Sequence, residues 1–252
     1  SNKGKETPMG LFGKIFEKKN CDICGAEIGL LGNRKLEDGN LCKECAAKLS
    51  PFFSDRRRST VEQIREQLDY REANKERVAA FNATRTLGGN TKVIIDEDAG
   101  CFIVTRASRW RDANPDVINF SQITGCDTEV RETRTEIMRE NAEGEEESYD
   151  PPRYDIDYDM YVTIYVNSPY FDEISFKVND YQIEERYSLE FREAERQANE
   201  IRELLTGVRE HVREEVVAAA APKQAVTCPF CGASTTPDSS GRCEFCGGAL
   251  GN

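Results

Sequence analysis

The sequence predicts an α+β chain: a small cysteine module at each end, a connecting helix, an antiparallel β-domain and a helix that closes it. Three observations predict this. Eight of the ten cysteines fall in four CxxC pairs, two pairs near each end of the 252 residues. Residues 92–180 hold short β-branched and aromatic runs separated by turn residues. From Ser188 onward, apolar residues recur at steps of three and four, the period of a helix.

The first module is Cys21-Asp-Ile-Cys24, seventeen intervening residues, then Cys42-Lys-Glu-Cys45. A tetrahedral zinc ion needs four ligands with Zn–S of about 2.3 Å, and a CxxC turn lets two thiolates converge on one ion. Gly25 follows Cys24 and permits the tight turn, while Gly32-Asn33 and Asp38-Gly39 are hairpin turn signals. AAKL after Cys45 reads as a helix start. Knuckle, hairpin, then a CxxC opening a helix is the order of a treble clef. The second module is Cys228-Pro-Phe-Cys231, eleven intervening residues that begin with Gly232, then Cys243-Glu-Phe-Cys246-Gly. Two glycine-followed knuckles with turns at Pro237, Asp238 and Gly241 between them form a zinc-ribbon pattern.

In a chain with no apolar leader, these pairs read as metal ligation in a reducing cytoplasm. Cys21, Cys24, Cys42, Cys45, Cys228, Cys231, Cys243 and Cys246 are therefore the expected ligands of two structural zinc ions. Iron, or disulfides formed on oxidation, are the alternatives. Four cysteines close the coordination shell and leave no place for an activated water. Cys101 and Cys126 lack a CxxC partner and read as buried small hydrophobes.

Between the modules, Ser59 to about Phe81 reads as a helix. Ser59 with Glu62 makes a capping box, and Thr60 with Gln63 offers a second register. Its apolar stripe, Val61, Ile64, Leu68, Val78 and Phe81, is thin, so the helix must lie on another domain. KVIID and CFIVT form a hairpin around Asp98 and Gly100. Leu87-Gly88-Gly89-Asn90 reads as a turn. VINF and ITGCDTEV are strands, whereas EVRETRTEIMRE fits either a solvent-facing strand or a helix. Residues 141–152, acidic and containing Gly and Pro, read as a mobile loop and a possible docking segment. YDMYVTIYV and EISFKV are strands around an Asn167-Ser168-Pro169 turn. In the last helix Phe191, Ala194, Ala198, Ile201, Leu205, Val208 and Val212 form a heptad-type seam that either closes the β-domain or pairs two chains. The chain is then a monomer or a coiled-coil dimer.

These readings divide the chain into a tag remnant and short amphipathic N-terminus (1–20), a treble-clef module (21–54), a connecting helix (55–82) and a β-domain with its closing helix (83–216). A linker (217–226) and a zinc ribbon (227–252) follow. SNKGKETP precedes Met9 and reads as an appended remnant. MGLFGKIFEKK places Leu11, Phe12, Ile15 and Phe16 on one face, a candidate interfacial foot.

Hydrophobic residues are 38% of the chain and charged residues 32%, so the core is thin for the length and metal staples carry weight. A net charge of −12 argues against nucleic acid as the partner of the whole chain. The sole histidine, His211, sits on a charged helix, and no GxSxG, HExxH, P-loop or GxGxxG pattern occurs. The chain therefore reads as a zinc-binding adaptor for a protein partner and not as an enzyme. A membrane-peripheral protein and a nucleic-acid-associated ribbon protein are the alternatives.

CDICGAEIGLLGNRKLEDGNLCKECAAKLSPFF and the following STVEQIREQLDYREANKERVAAFNATRTLG resemble a bacterial domain family of unknown function with an N-terminal four-cysteine zinc knuckle. The resemblance implies that Cys21, Cys24, Cys42 and Cys45 are zinc ligands; it brings no activity with it. Residues 83–205 look like a PH-like (GRAM-type) domain, which implies a bent antiparallel sheet closed by one helix. The tail resembles the zinc ribbons that recur at the ends of bacterial proteins.

Overall fold

The computed structural model describes residues 19–220, 225–238 and 240–250. The candidate amphipathic foot lies outside them, apart from Lys19. The chain divides into two units, one ending at Arg209 and one beginning at Glu210.

In the first unit, β1 (Lys19–Asn20) and β2 (Glu27–Ile28) pair antiparallel around the first CxxC. β3 (Arg34–Lys35) and β4 (Asn40–Leu41) form a hairpin whose turn is Asp38-Gly39. Gly39 is required there, because a Cβ would lie 2.5 Å from Val61 Cγ2 and 2.7 Å from an Asp22 carboxylate oxygen. Helix α1 (Lys43–Ala46) is a single turn capped by the Cys42 side chain. AAKL therefore ends this helix instead of starting it: the side-chain cap at Cys42 places the start at Lys43, within the second CxxC.

Helix α2 (Val61–Ala80) carries a capping box between Thr60 and Gln63. The Ser59–Glu62 register is not used, since the Ser59 hydroxyl donates to the Asp55 carbonyl (3.0 Å) instead. The buried stripe of α2 is Ile64, Gln67, Arg71, Asn74 and Val78, only two of them apolar. Its polar members are satisfied in detail. Arg71 donates to an Asp116 carboxylate oxygen (2.7 Å), the Lys48 carbonyl (3.1 Å) and the Asn114 carbonyl (2.6 Å). Asp116 accepts the Ser50 hydroxyl (2.8 Å) on its other oxygen, and the Gln67 side chain accepts the Ser50 N–H (3.1 Å). Asn74 accepts from the Val117 N–H (3.0 Å) and donates to the Pro115 carbonyl (2.8 Å).

The body of the unit is two antiparallel meanders. The first runs β5 (Arg85–Gly88), β6 (Lys92–Asp96), β7 (Cys101–Thr105), a one-turn helix α3 (Trp110–Ala113) and β8 (Ile118–Asn119), in the order β5-β6-β7-β8. β5 is a strand where the sequence suggested only a turn: Gly88 (φ 88°) pairs with Lys92 and admits no Cβ, which would lie 2.3 Å from the Thr91 carbonyl. β7 is buried throughout and β6 nearly so. One face, Ile94, Cys101 and Ile103, packs with Val78 and Phe81 at the end of α2.

The second meander is β9 (Ile123–Glu140), β10 (Glu146–Val166) and β11 (Glu173–Lys177), in the order β11-β10-β9. EVRETRTEIMRE is therefore strand. The expected acidic loop at 141–152 is corrected to a turn at 141–145, with 146–152 in β10. Asn141 accepts the N–H groups of Glu143 and Glu145 (2.9 Å each) to close that turn. Pro151 and Pro152 fall in the register break between Ser148 and Arg153, where the ladder asks no N–H of them. β11 pairs only with Tyr161–Tyr165, so from Asp157 outward β9 and β10 continue as a two-stranded ribbon exposed on both faces.

Helix α4 (Leu189–Ala220) begins with the Ser188 hydroxyl accepting the Phe191 N–H (3.1 Å). Phe191, Ala194, Ala198, Ile201 and Leu205 of the seam are buried within the first unit, with Phe191 edge-on to Tyr158 at 5.8 Å. The helix runs through Ala220, correcting the expected linker from 217: VVAAA favours helix and no proline intervenes before Pro222. In the second unit, β12 (Val226–Thr227) and β13 (Ser234–Thr235) pair across the third CxxC.

Asp116→Ala strands the Arg71 guanidinium in a buried site. Breaking one side of a buried pair costs about 3–5 kcal/mol, so urea unfolding of the metal-loaded chain should shift to a clearly lower midpoint.

Candidate metal centres

Three of the four CxxC pairs are built the same way. In each, the first cysteine's N–H donates to the carbonyl five residues on, and its carbonyl accepts from the glycine four residues on. For Cys21 the partners are Ala26 (2.9 Å) and Gly25 (2.8 Å). For Cys228 they are Ala233 (2.8 Å) and Gly232 (2.9 Å), and for Cys243 they are Gly248 (2.9 Å) and Gly247 (2.8 Å). Gly25, Gly232 and Gly247 take φ of 76°, 73° and 70°, the left-handed region that disfavours a side chain. This hydrogen-bonded loop turns both sulfurs of a pair toward one point. The remaining pair uses a helix instead: Cys42 caps α1, Cys45 lies in its first turn, and the Cys45 N–H donates to Cys42 Sγ (3.3 Å).

The structure brings Cys21, Cys24, Cys42 and Cys45 together, and separately Cys228, Cys231, Cys243 and Cys246, the sulfurs of each set lying within 4.8 Å of one another. Cys24 and Cys42 sulfurs are 3.7 Å apart, Cys228 and Cys246 3.6 Å, and Cys231 and Cys243 3.7 Å. A disulfide would need about 2.05 Å. A tetrahedral shell with metal–sulfur bonds of about 2.3 Å has edges near 3.8 Å. The spacing is thus that of four thiolates around one ion. None of the ten cysteines is in a disulfide.

Electrostatics within each set is uneven. Burial disfavours the Cys21 thiolate, but the backbone N–H groups of Cys24, Cys42 and Ile23 outweigh it and bring its pKa to about 6. Cys228 is likewise opposed by burial yet lowered to about 7 by the N–H groups of Cys231 and Phe230. Cys45 is pushed up, first by burial and then by the sulfurs of Cys42, Cys24 and Cys21. At Cys246 the Gly248 N–H favours the thiolate, but the neighbouring sulfurs of Cys231 and Cys228 prevail and raise it to about 12. Four sulfurs in contact cannot all ionise without a cation, so metal entry displaces protons. With four sulfur ligands the coordination shell is complete.

Cys101, 5% exposed, and half-buried Cys126 join neither set. Burial raises both thiols, Cys126 to about 12. His211 is exposed and lies 3.3 Å from Glu215 on the same helix.

Residues 19–67, from β1 into the first turns of α2, match the model of a domain of unknown function (DUF4428). No curated protein and no solved structure matches the chain in the comparisons made with each.

Native mass spectrometry should show two metal ions per chain. Cys24→Ser and Cys231→Ser should each remove one ion, and the double substitution both. In the metal-loaded chain at pH 8, Cys101 and Cys126 should resist iodoacetamide, because burial keeps both protonated; rapid alkylation of Cys126 would contradict its place beside the core.

Proposed function

We propose that this chain is a non-enzymatic interaction module whose two structural ions are zinc. In this reading the seven-stranded body is PH-like, its meanders of four and three strands followed by a closing helix, and it presents a strand edge to a protein partner. All-sulfur tetrahedral sites of this size suit zinc, and their closed shells suit structure and not metal-assisted chemistry. The chemistry belongs to a reducing compartment, the cytoplasm, where eight ligand thiols escape disulfide formation. Among the described residues no helix is long and apolar enough to cross a membrane.

The observation that carries the adaptor reading is the outer edge of β9. This strand spans Ile123–Glu140 and pairs with β10 alone, so its other backbone edge is unpaired among the described residues. A long open edge is a template for strand addition. Here it is studded with Glu129, Arg131, Glu132, Arg134, Glu136 and Arg139, which discourage indiscriminate pairing and demand a partner segment of matching charge. The net charge of −12 favours protein over nucleic acid in that role.

Hydrogen exchange tests this. Amides on the outer edge of residues 129–140 should exchange rapidly in the isolated chain and become protected in the purified complex with a partner. A stable complex that leaves that edge exchanging freely would sink the strand-addition reading.

A further inference from the structure

We propose that the turn at residues 29–32 of the first metal module, with the basic cluster beside it, docks this chain on an anionic lipid bilayer. This surface is separate from the β9 edge and does not depend on it. The Gly32 N–H donates to the Gly29 carbonyl (2.9 Å), closing a tight turn with Leu30 and Leu31 at its two central positions. Both project from the module, Leu30 76% and Leu31 88% exposed, and Leu31 is the most exposed large apolar side chain among the described residues. Single exposed leucines are ordinary. Two in succession at the apex of a turn, in a module whose other apolar side chains are needed for a tiny core, are not explained by folding.

The second observation is the charge next to them. Arg34 donates to the Leu31 carbonyl (3.4 Å), and Arg56 donates to the carbonyl of Lys35 (2.7 Å). Arg34, Lys35, Arg56 and Arg57 line one shallow cleft in which Glu37 is the only acid. Arg58 pairs with Asp55, but among the described residues no ion pair involves Arg34, Lys35, Arg56 or Arg57. The cations crowd one another: partial burial, then Arg57 and Arg34, make the Arg56 charge harder to hold. Four cations against one acid, in a chain of net charge −12, mark a local surface of opposite sign to the whole.

A bilayer interface satisfies both halves. Leucines enter the boundary between headgroups and acyl chains, and guanidinium and ammonium groups meet phosphate and carboxylate headgroups. Nucleic acid would account for the cations and leave the leucines idle. Near an anionic surface each basic residue contributes about fivefold in binding, and a buried leucine about tenfold or more.

The test is co-sedimentation of the full, zinc-loaded chain with sucrose-filled vesicles. One set is phosphatidylcholine alone; the other contains one-third phosphatidylserine. The wild type should pellet with the anionic vesicles only and be released by high salt. Leu30→Ser with Leu31→Ser should weaken binding about a hundredfold or more, and Arg56→Gln with Arg57→Gln about twenty-five-fold. Both variants should keep two metal ions by native mass spectrometry, which separates lost docking from lost folding. A leucine variant that pellets as the wild type does overturns the proposal. So does a wild type that stays in the supernatant, whether or not it retards a single-stranded oligonucleotide.

Discussion

The ion pair between Arg71 and Asp116 is the interaction on which the first unit depends. Its side chains are 8% and 0% exposed. Burying two charges costs more than their attraction returns unless every remaining donor and acceptor is satisfied. Here they are satisfied from three segments: Lys48 and Ser50 at the end of the metal module, α2 itself, and Asn114 in the loop before β8. Remove any one and the others are left with buried unpaired groups. Such a network adds little net stability over a well-packed apolar core. It does select one arrangement of module, helix and sheet, because hydrogen bonds are directional and hydrophobic contacts are not. Around it, α2 is tied at its start by Asp38 and Asp22, and toward its end by the Arg77 bond to the Val117 carbonyl (2.6 Å).

That network also explains what the sequence concealed. The cysteine spacing, the two long helices and the β6–β7 hairpin were legible, because each rests on a short-range rule: ligand geometry, helical period, turn chemistry. The buried face of α2 was not. Judged by apolar residues it ran through Val61, Ile64, Leu68, Val78 and Phe81; the structure buries Ile64, Val78 and Phe81 but fills the rest of that face with Gln67, Arg71 and Asn74, which look solvated until their partners, seventeen to forty-five residues away, are known. The ribbon was obscure for a related reason. Strand periodicity is visible when one face is buried, and between Glu129 and Asp157 neither face is, so EVRETRTEIMRE carries no hydrophobic alternation. Its acidic, proline-containing return strand reads by composition as loop. β5 was hidden by Gly88-Gly89, which mark the turn where it ends and masked the three strand residues before them.

A two-stranded ribbon without a core must be held by its own cross-strand contacts. Arg139 meets Glu147 at 2.6 Å and lies over the Tyr149 ring at 5.5 Å, and the Ser148 hydroxyl donates to the Glu136 carboxylate. Contacts of this kind contribute a few tenths to about 1 kcal/mol each. The distal ribbon is therefore the part of the sheet with least protection against local opening. The same feature makes its edge available: a strand already held between two neighbours has no backbone groups to offer, and one held too weakly has no fixed register to recognise. β9 is anchored at its start by the buried core and free toward its end, which is the condition a strand-accepting edge needs.

The two metal sites share a knuckle, but loss of their ions has unequal reach. Structural zinc contributes about 10–16 kcal/mol in small fingers, against a net stability of about 5–15 kcal/mol for a typical domain. In the second unit Cys228 and Cys243 pack with Leu250 alone among the buried described residues. In the first, Cys21, Cys42 and Cys45 of the candidate ligand set pack with Leu36, Leu41, Leu49 and Ile64, the last of them on α2. Ser50 follows Leu49 directly and holds Asp116. Emptying that site removes not only a knuckle but the platform that positions the acceptor for Arg71, so the guanidinium loses its setting through a chain of adjacent contacts. An ion in the first site would thus act as part of the body's own core, and the first cysteine module, small as it is, cannot be regarded as an appendage to the sheets.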